Sequence, residues 1–223
     1  MQLLTVYTEP NRLFGELKLK SNFILPLVLT IVALMAVWLT YYQRVDASWL
    51  IDHFASTAGT PAKQEAIRKS MNVGVLKWGS LIGGPLFLVV IYLISALYYK
   101  LAGKICGVEA RYGQWLSFTA WAAMPALLSL LVALIQAIIM SPQTAPGDIS
   151  LTHLDPLLSS LPLDHPWKGW LSSFDLLNLW SIGLAAIGWR NWSGKGWGQA
   201  ITVAALPSVV IYGIWAAVIA ATH

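Results

Sequence analysis

Five apolar runs dominate this sequence, and each is long enough to cross the hydrocarbon core of a membrane as a helix. They lie at residues 23–42, 78–99, 115–140, 170–189 and 200–222, and a crossing of about 30 Å takes roughly 20 helical residues. Hydrophobic residues make up 57% of the chain and charged residues 11%, which excludes both a water-soluble globule and a disordered chain. Because lipid cannot satisfy a free peptide group, the runs predict an all-α bundle of five spans in one membrane domain, 1–223.

The distribution of Lys and Arg between the predicted loops indicates the orientation of this bundle. The N-terminal segment and the loops 100–114 and 190–199 together carry eight basic residues, against one, Lys168, in the loop 141–169. The long loop 43–77 opposes this asymmetry with five more. We predict a multi-pass protein of the inner (cell) membrane with a cytoplasmic N-terminus and an external C-terminus.

Short helices and interfacial aromatic side chains are predicted at the membrane surface. Thr8 is a candidate N-cap before Pro10, and the apolar side made by Leu13, Phe14 and Leu17 predicts a helix lying in the interface. Two more short helices are predicted in loop 43–77, the second beginning at Thr60-Pro61 and expected to continue into span two, and five prolines predict an extended loop at 141–169. Seven tryptophans near span ends are expected at the headgroup level, namely Trp78, Trp115, Trp167, Trp170, Trp189, Trp192 and Trp197.

Spans three and five share a pattern that indicates an internal repeat. Trp115 is followed ten residues later by Pro125, and Trp197 is followed ten residues later by Pro207. Both patterns end in Ala-Ala-(Met/Leu)-Pro and follow a Gly-Lys pair, which predicts a duplicated parallel hairpin made of spans two–three and four–five. The two prolines are expected to form equivalent, inward-facing kinks near mid-membrane.

Small residues in two spans predict close helix packing. Gly79 and Gly83 form a Gly-xxx-Gly pair in span two, and Gly213 begins a run of small residues spaced by four in span five. Such residues let helix backbones approach, either within one chain or between two copies.

Three segments of the chain share their pattern with one family. Residues 97–128 contain Leu-x-Gly-Lys and Ala-x-x-Pro-x-Leu-Leu, residues 173–180 read Ser-Phe-Asp-Leu-Leu-Asn-Leu-Trp, and the chain opens with Glu9-Pro10-x-x-x-Phe14-x-x-Leu17. These segments resemble the Yip family of five-span membrane proteins, named for interaction with Ypt/Rab GTPases, and in particular its bacterial branch. The resemblance implies the fold and the topology. The Asp-Leu-Tyr-Gly-Pro segment of the eukaryotic relatives is absent from the sequence, which argues against binding of a Rab-type GTPase.

One ionisable side chain, Asp175, lies inside the predicted spans. A buried carboxylate is a candidate ligand or ion site, with Asn178 and Gln136 as its expected neighbours. However, Ser172-x-x-Asp175 also matches a capping box, and a carboxylate at a helix N-terminus is favoured by the helix dipole. Capping is therefore the preferred interpretation.

Four basic residues of the two Gly-Lys loops, Lys104, Arg111, Arg190 and Lys195, converge on the predicted cytoplasmic side. They set the topology and are candidate contacts for anionic lipid headgroups. Spacings typical of catalytic, nucleotide or metal sites are not found, and the pairs His153-x-Asp155 and Asp164-His165 lie in a proline-rich loop.

We therefore expect no enzymatic activity, no cofactor, no metal and no nucleic-acid binding. The sequence favours a membrane-organisation or interaction protein that packs with lipids, with itself or with other membrane proteins. The alternative is a small transporter or lipid-handling protein with a cavity between the two hairpins around Asp175.

Overall fold

A computed structural model describes residues 2–158, 161–162 and 164–222, and this part of the chain is helical without a β-strand. In chain order the helices are α1 (Gln2–Thr8), α2 (Pro10–Leu19), α3 (Ile24–Arg44), α4 (Ala47–Ser56), α5 (Pro61–Ser70), α6 (Val73–Trp78), α7 (Gly84–Cys106), α8 (Tyr112–Ala122), α9 (Pro125–Ile139), α10 (Leu154–Leu158), α11 (Lys168–Ser173), α12 (Leu177–Ser193) and α13 (Trp197–Thr222). A π-helical turn, Gly79–Gly83, joins α6 to α7, and a 3₁₀ turn covers Pro146–Ile149.

Three continuous helices of the described chain are long and apolar enough to span a membrane. They are Ile24–Arg44, Val73–Cys106 and Trp197–Thr222, and α8 and α9 make a fourth candidate if the pair, bent by 44°, is one span. These helices account for the predicted spans one, two, three and five. These helices confirm the prediction of a multi-pass helical membrane protein.

The predicted fourth span, 170–189, is not one continuous helix. Its helix begins at Leu177, after a break that separates it from α11. Phe174 in the break is extended, and its carbonyl oxygen accepts a hydrogen bond of 3.0 Å from the backbone N–H of Leu154. Pairing with the loop chain therefore competes with helix formation here. The helix that remains has 17 residues, so the fifth span stays a prediction.

The contacts of the chain cluster in two compact units. Unit 1 takes the described residues of 1–31, 87–128 and 176–223, and unit 2 takes those of 32–86 and 129–175. In unit 1, α12 packs against α2, α8 and α13. Unit 2 contains α4, α5, the π turn and the loop 141–169.

The core of unit 1 is aromatic. Trp115, Trp121 and Trp189 are fully buried there together with Phe14 and Phe118. Trp115 and Trp189, expected at the headgroup level, have rings that contact each other with centroids 5.7 Å apart. These tryptophans therefore pack inside the protein, whereas Trp78 and Trp197 remain largely exposed.

The amphipathic N-terminal segment packs into this core. Leu13, Phe14 and Leu17 are fully buried, so their apolar side packs against protein, and the position of the helix in the membrane interface stays a prediction. Thr8 ends α1 and donates its hydroxyl to the carbonyl oxygen of Leu4, so the N-cap position of α2 falls to Glu9.

Two glycines permit the closest approaches in unit 1, and neither was predicted. A Cβ at Gly188 would lie 2.7 Å from both Phe14 and Phe118, and one at Gly103 would lie 2.6 Å from Trp115. By contrast, a Cβ at Gly79, Gly83 or Gly213 would meet nothing within 4 Å. Any packing role of these three must involve another molecule and stays a prediction.

The two repeat prolines occupy different local structures. Pro125 begins α9 after a break at residues 123–124, whereas Pro207 lies inside the continuous helix α13. The prediction that the two prolines form equivalent kinks is therefore wrong for the backbone around them. The difference is that residues 123 and 124 form a turn, which ends α8 before the proline. The duplicated hairpin is not confirmed.

Unit 2 is built from shorter elements. The helices α4 and α5 confirm the two predicted in loop 43–77, but α5 ends at Ser70 and Asn72 caps α6, so α5 does not continue into span two. The loop 141–169 is less extended than predicted, because it contains the 3₁₀ turn and α10.

Candidate functional site

A cleft in unit 1 gathers basic side chains at the junction of α7 and α8. It has a volume of about 480 Å³, and its lining includes Lys100, Lys104 and Arg111 together with Glu109. We name it the basic cleft. Two of the four predicted lipid contacts, Lys104 and Arg111, thus lie together, and Lys100 joins them.

The local fold places these cations on one side. Lys100 and Lys104 lie one turn apart on α7 and so share a helix face. Gly107, with φ of 75°, then turns the chain in the left-handed region that suits glycine. Arg111 precedes α8, where its N–H donates to Gln114 Oε1 at 2.6 Å. This capping bond fixes the start of α8 beside the end of α7.

An aromatic ring supports one of the cations. Lys100 Nζ lies 5.9 Å from the ring centre of Tyr112, whose hydroxyl donates to the carbonyl oxygen of Leu93 at 2.9 Å. The ring face attracts the ammonium group without neutralising it. The ring therefore holds Lys100 at the cleft without occupying the place of an anionic ligand.

The other two predicted lipid contacts do not line the basic cleft, since Arg190 lies in the last turn of α12 and Lys195 in the loop that follows. The Arg190 guanidinium lies 4.7 Å from the ring centre of Trp197. Gly194, with φ of 65°, closes α12 by donating to the carbonyl oxygen of Arg190, and Lys195 follows it in the exposed loop. Arg190 and Lys195 are thus accessible cations outside the basic cleft.

Asp175 lies in unit 2 with partners that the sequence did not indicate. Ser129 donates its hydroxyl to Asp175 Oδ2, and His153 Nε2 lies 3.8 Å from the same oxygen. His153 Nδ1 contacts the carbonyl oxygen of Ser172. Since a carbonyl only accepts, Nδ1 carries the hydrogen. The three side chains hold the loop 141–169 against the break before α12.

The predicted capping box does not form at α12. Ser172 lies in the last turn of α11, its hydroxyl oxygen is buried without a hydrogen bond, and the N-cap position of α12 is Leu176. Of the two predicted neighbours of Asp175, Asn178 lines a separate apolar cleft in unit 1, and Gln136 lies on α9 in unit 2.

The geometry around Asp175 suits a structural contact between segments rather than nucleophilic attack by Ser129. The hydroxyl of Ser129 donates to the carboxylate, whereas an activated serine donates to an imidazole that takes its proton. The contact of Ser129 with Asp175 therefore supports a locking role at the loop.

Asp155 has partners that the sequence did not single out. It pairs with Lys168, and its Oδ1 accepts a hydrogen bond of 3.0 Å from the N–H of Leu161. Within the described residues, no group of three His, Cys, Asp or Glu side chains could hold a metal ion. A signal for the ion pair was present, because Lys168 is the single basic residue of the loop 141–169.

A comparison with protein families decides the classification. The Yip1 domain model matches residues 4–218 of the chain. The chain belongs to the Yip1 domain family. No curated protein and no solved structure matches it.

The family assignment confirms the resemblance seen in the sequence. The Yip1 domain match includes all three segments that carried the resemblance. It also includes both Gly-Lys loops, so the basic cleft belongs to the Yip1 domain. Membership of the bacterial branch stays a prediction.

Proposed function

We propose that this Yip1 domain protein is a non-enzymatic membrane protein that binds and organises lipids, holding anionic headgroups in the basic cleft. One observation carries the proposal, namely that Lys100, Lys104 and Arg111 line one cleft at the junction of two apolar helices. Their three positive charges exceed the single carboxylate of Glu109 in the same lining.

The surroundings of the cleft match a lipid headgroup. Lys100, Lys104 and Arg111 are all exposed, and the helices α7 and α8 continue from the cleft into apolar sequence. A phosphate can therefore meet the cations while its acyl chains lie along α7, where Leu97 and Leu101 are exposed. Basic residues near a membrane surface attract anionic lipid by about 1 kcal/mol each.

The proposed topology agrees with this ligand. With five spans and a cytoplasmic N-terminus, the basic cleft faces the cytoplasmic leaflet of the inner membrane. The excess of Lys and Arg and the anionic lipids then both lie on the cytoplasmic side of the membrane. We further propose that the chain works without a cofactor or nucleic acid, and that a second copy or another membrane protein is its protein partner rather than a Rab-type GTPase.

Lipid retention by the full chain tests the proposal. The protein is purified in mild detergent, titrated with phosphatidylglycerol or phosphatidylcholine in mixed micelles, and examined by native mass spectrometry. The test variant is Lys100→Gln/Lys104→Gln/Arg111→Gln. The control is Lys63→Gln/Lys69→Gln/Lys77→Gln, which removes the same charge from loop 43–77.

We expect the test variant to bind phosphatidylglycerol about a hundredfold more weakly, since three charges contribute about 1 kcal/mol each. The control should stay within about twofold of the wild type, a difference below about 0.5 kcal/mol. Equal losses in both variants would show that only net charge matters and would contradict a site at the basic cleft. Equal binding of the neutral and the anionic lipid by the wild type would also contradict it.

A further inference from the structure

A second cleft of unit 1 lies among α7, α8, α12 and α13, and its volume is about 530 Å³. We name it the apolar cleft. Its lining is mostly aliphatic and aromatic, with isolated polar side chains and, among the described residues, no charged one. The isolated polar residues are Ser95, Thr119, Asn178, Ser181 and Ser208.

The apolar cleft lies about ten residues from each of the two loops that join its helices in pairs. Ser95 and Ala122 lie roughly ten residues from the loop that joins α7 to α8, or about 15 Å along their helices. Ile182 and Ser208 lie at about the same distance from the loop that joins α12 to α13. On α7 and α13, the two helices of the cleft that are each long and apolar enough to span a membrane, this distance corresponds to mid-membrane.

The cleft opens onto apolar surface. Ile94, Leu206 and Ile211 line it and are also exposed, at 58%, 45% and 62%. In a membrane these side chains face acyl chains, so the molecules with direct access to the cleft are lipids.

One hydroxyl in the lining is buried without a hydrogen bond. Thr119 is 6% exposed, and its Oγ1 contacts no donor or acceptor. Thr30 and Thr202, in contrast, donate to the carbonyl oxygen four residues earlier, at 2.8 and 2.9 Å. Burying an unsatisfied hydroxyl is unfavourable, and a ligand with one polar atom at this point would remove that cost.

We propose that the apolar cleft binds one neutral lipid, whose apolar chain fills the cleft and whose carbonyl or hydroxyl group hydrogen-bonds to Thr119. The volume lies within the range of small-molecule sites, roughly 300–1,000 Å³. A phospholipid headgroup does not fit the lining, because a phosphate at mid-membrane would have no cation beside it and ionic groups there are costly.

The proposal deepens the proposed lipid binding but uses other residues. The basic cleft binds a charged headgroup through Lys100, Lys104 and Arg111, whereas the apolar cleft binds a neutral molecule through packing and Thr119. Either site can therefore fail alone.

Photo-crosslinking of the full chain in proteoliposomes tests the neutral lipid. The probe is a diacylglycerol with a diazirine in its acyl chain, compared with phosphatidylglycerol bearing the same chain, and labelled peptides are mapped by mass spectrometry. Thr119→Val removes the hydroxyl at constant shape, and Ser208→Phe fills the cleft. Thr202→Val is the matched control, since Thr202 is exposed on α13 and already bonded to Gly198.

We expect diacylglycerol to label the α8 and α13 peptides of the wild type and of Thr202→Val. Thr119→Val should lower this labelling about fivefold, the loss expected for one hydrogen bond, and Ser208→Phe should abolish it. Thr119→Val serves alone if Ser208→Phe does not fold. The triple Gln variant of the basic cleft should retain the diacylglycerol label.

Two results would overturn the proposal. Labelling that Thr119→Val leaves unchanged would show that the hydroxyl contacts no ligand. Equal labelling of the same peptides by phosphatidylglycerol would show that the cleft does not select a neutral lipid. Neither result bears on the basic cleft, whose own test uses titration of the headgroup.

Discussion

The two units of this protein bury different chemistry. Unit 1 is filled by aromatic rings, with Trp115, Phe118 and Trp192 in mutual contact at centroid distances of 4.8–5.6 Å. Unit 2 has a smaller apolar cluster around Val37, Tyr41 and Leu50. It adds buried or half-buried charged side chains, such as Asp155. Unit 1 is stabilised by many apolar contacts, whereas unit 2 depends more on a few polar pairs.

Two core tryptophans of unit 1 bond to the backbone through their indole N–H groups. The indole N–H of Trp192 donates to the carbonyl oxygen of Phe14 at 2.8 Å, and that of Trp121 donates to Asn22 at 2.6 Å. Each ring therefore places its apolar body in the core and satisfies its one donor on the backbone. The loss of one such bond leaves the packing in place.

The polar atoms of unit 2 depend on a matching partner. Asp155 is 1% exposed in its side chain and Lys168 is 14% exposed. Removing one member of a buried pair leaves the other charge uncompensated. Unit 2 should therefore respond more steeply to a single polar substitution than unit 1.

The largest expected effect is that of Asp155→Asn. The substitution keeps the shape of the side chain but leaves Lys168 without its counter-charge, which should cost about 3 kcal/mol or more of the free energy of unfolding. Thermal unfolding in detergent gives the total change, and hydrogen exchange should show the loss in peptides of unit 2 rather than unit 1.

The matched control for that prediction is Asp52→Asn, in the same unit. Asp52 lies 2.7 Å from Arg68, but the two side chains are 63% and 42% exposed, so the substitution should cost at most about 1 kcal/mol. Similar losses in both variants would contradict the contrast between a buried and an exposed pair.

The sequence predicted the helices far better than it predicted the neighbours. Apolar length indicated the helices of spans one, two, three and five, because length and hydrophobicity are properties of a single segment. The partners of Asp175 could not be read in this way. Ser129 and His153 come from segments far apart in the chain, and nothing in their spacing indicates that they meet.

The break before α12 shows the same limit. Residues 170–189 are apolar enough to read as one helix, but the backbone of Phe174 pairs with that of Leu154 instead. The sequence brought together two residues of the basic cleft, Lys104 and Arg111, because both belong to the predicted loop 100–114. The apolar cleft is formed by side chains of four helices, so no single segment of the sequence indicates it. The sequence analysis named Asn178 and Pro207 of its lining, but for other reasons.

An intermediate effect is expected from Gly188→Ala in unit 1. The new Cβ would lie 2.7 Å from Phe14 and Phe118, so the rings must move, which typically costs about 1–3 kcal/mol. Gly183→Ala, on the same helix with nothing within 4 Å, should be neutral or stabilise by up to about 1 kcal/mol. A neutral Gly188→Ala would show that the aromatic core adapts more easily than its contacts indicate.

The smallest expected effect concerns the proline of α13. Pro207 has no N–H, so it leaves the carbonyl oxygen of Val203 without its usual helical donor. The hydroxyl of Tyr98, on α7, donates to that oxygen at 2.7 Å. Tyr98→Phe should therefore cost about 1 kcal/mol of the free energy of unfolding.

A double-mutant cycle separates this bond from the packing of the ring. Pro207→Ala restores an N–H that can bond to the carbonyl oxygen of Val203, so in that background Tyr98→Phe should cost less than about 0.5 kcal/mol. Tyr112→Phe is the control, since Tyr112 donates to the carbonyl oxygen of Leu93 at 2.9 Å and the change at position 207 should not alter its cost. If Tyr98→Phe costs the same in the wild type and in the Pro207→Ala background, the hydroxyl does not compensate the proline. Tyr98 would then stabilise unit 1 through the packing of its ring alone. That result would sharpen the difference from unit 2, where buried polar pairs contribute to stability.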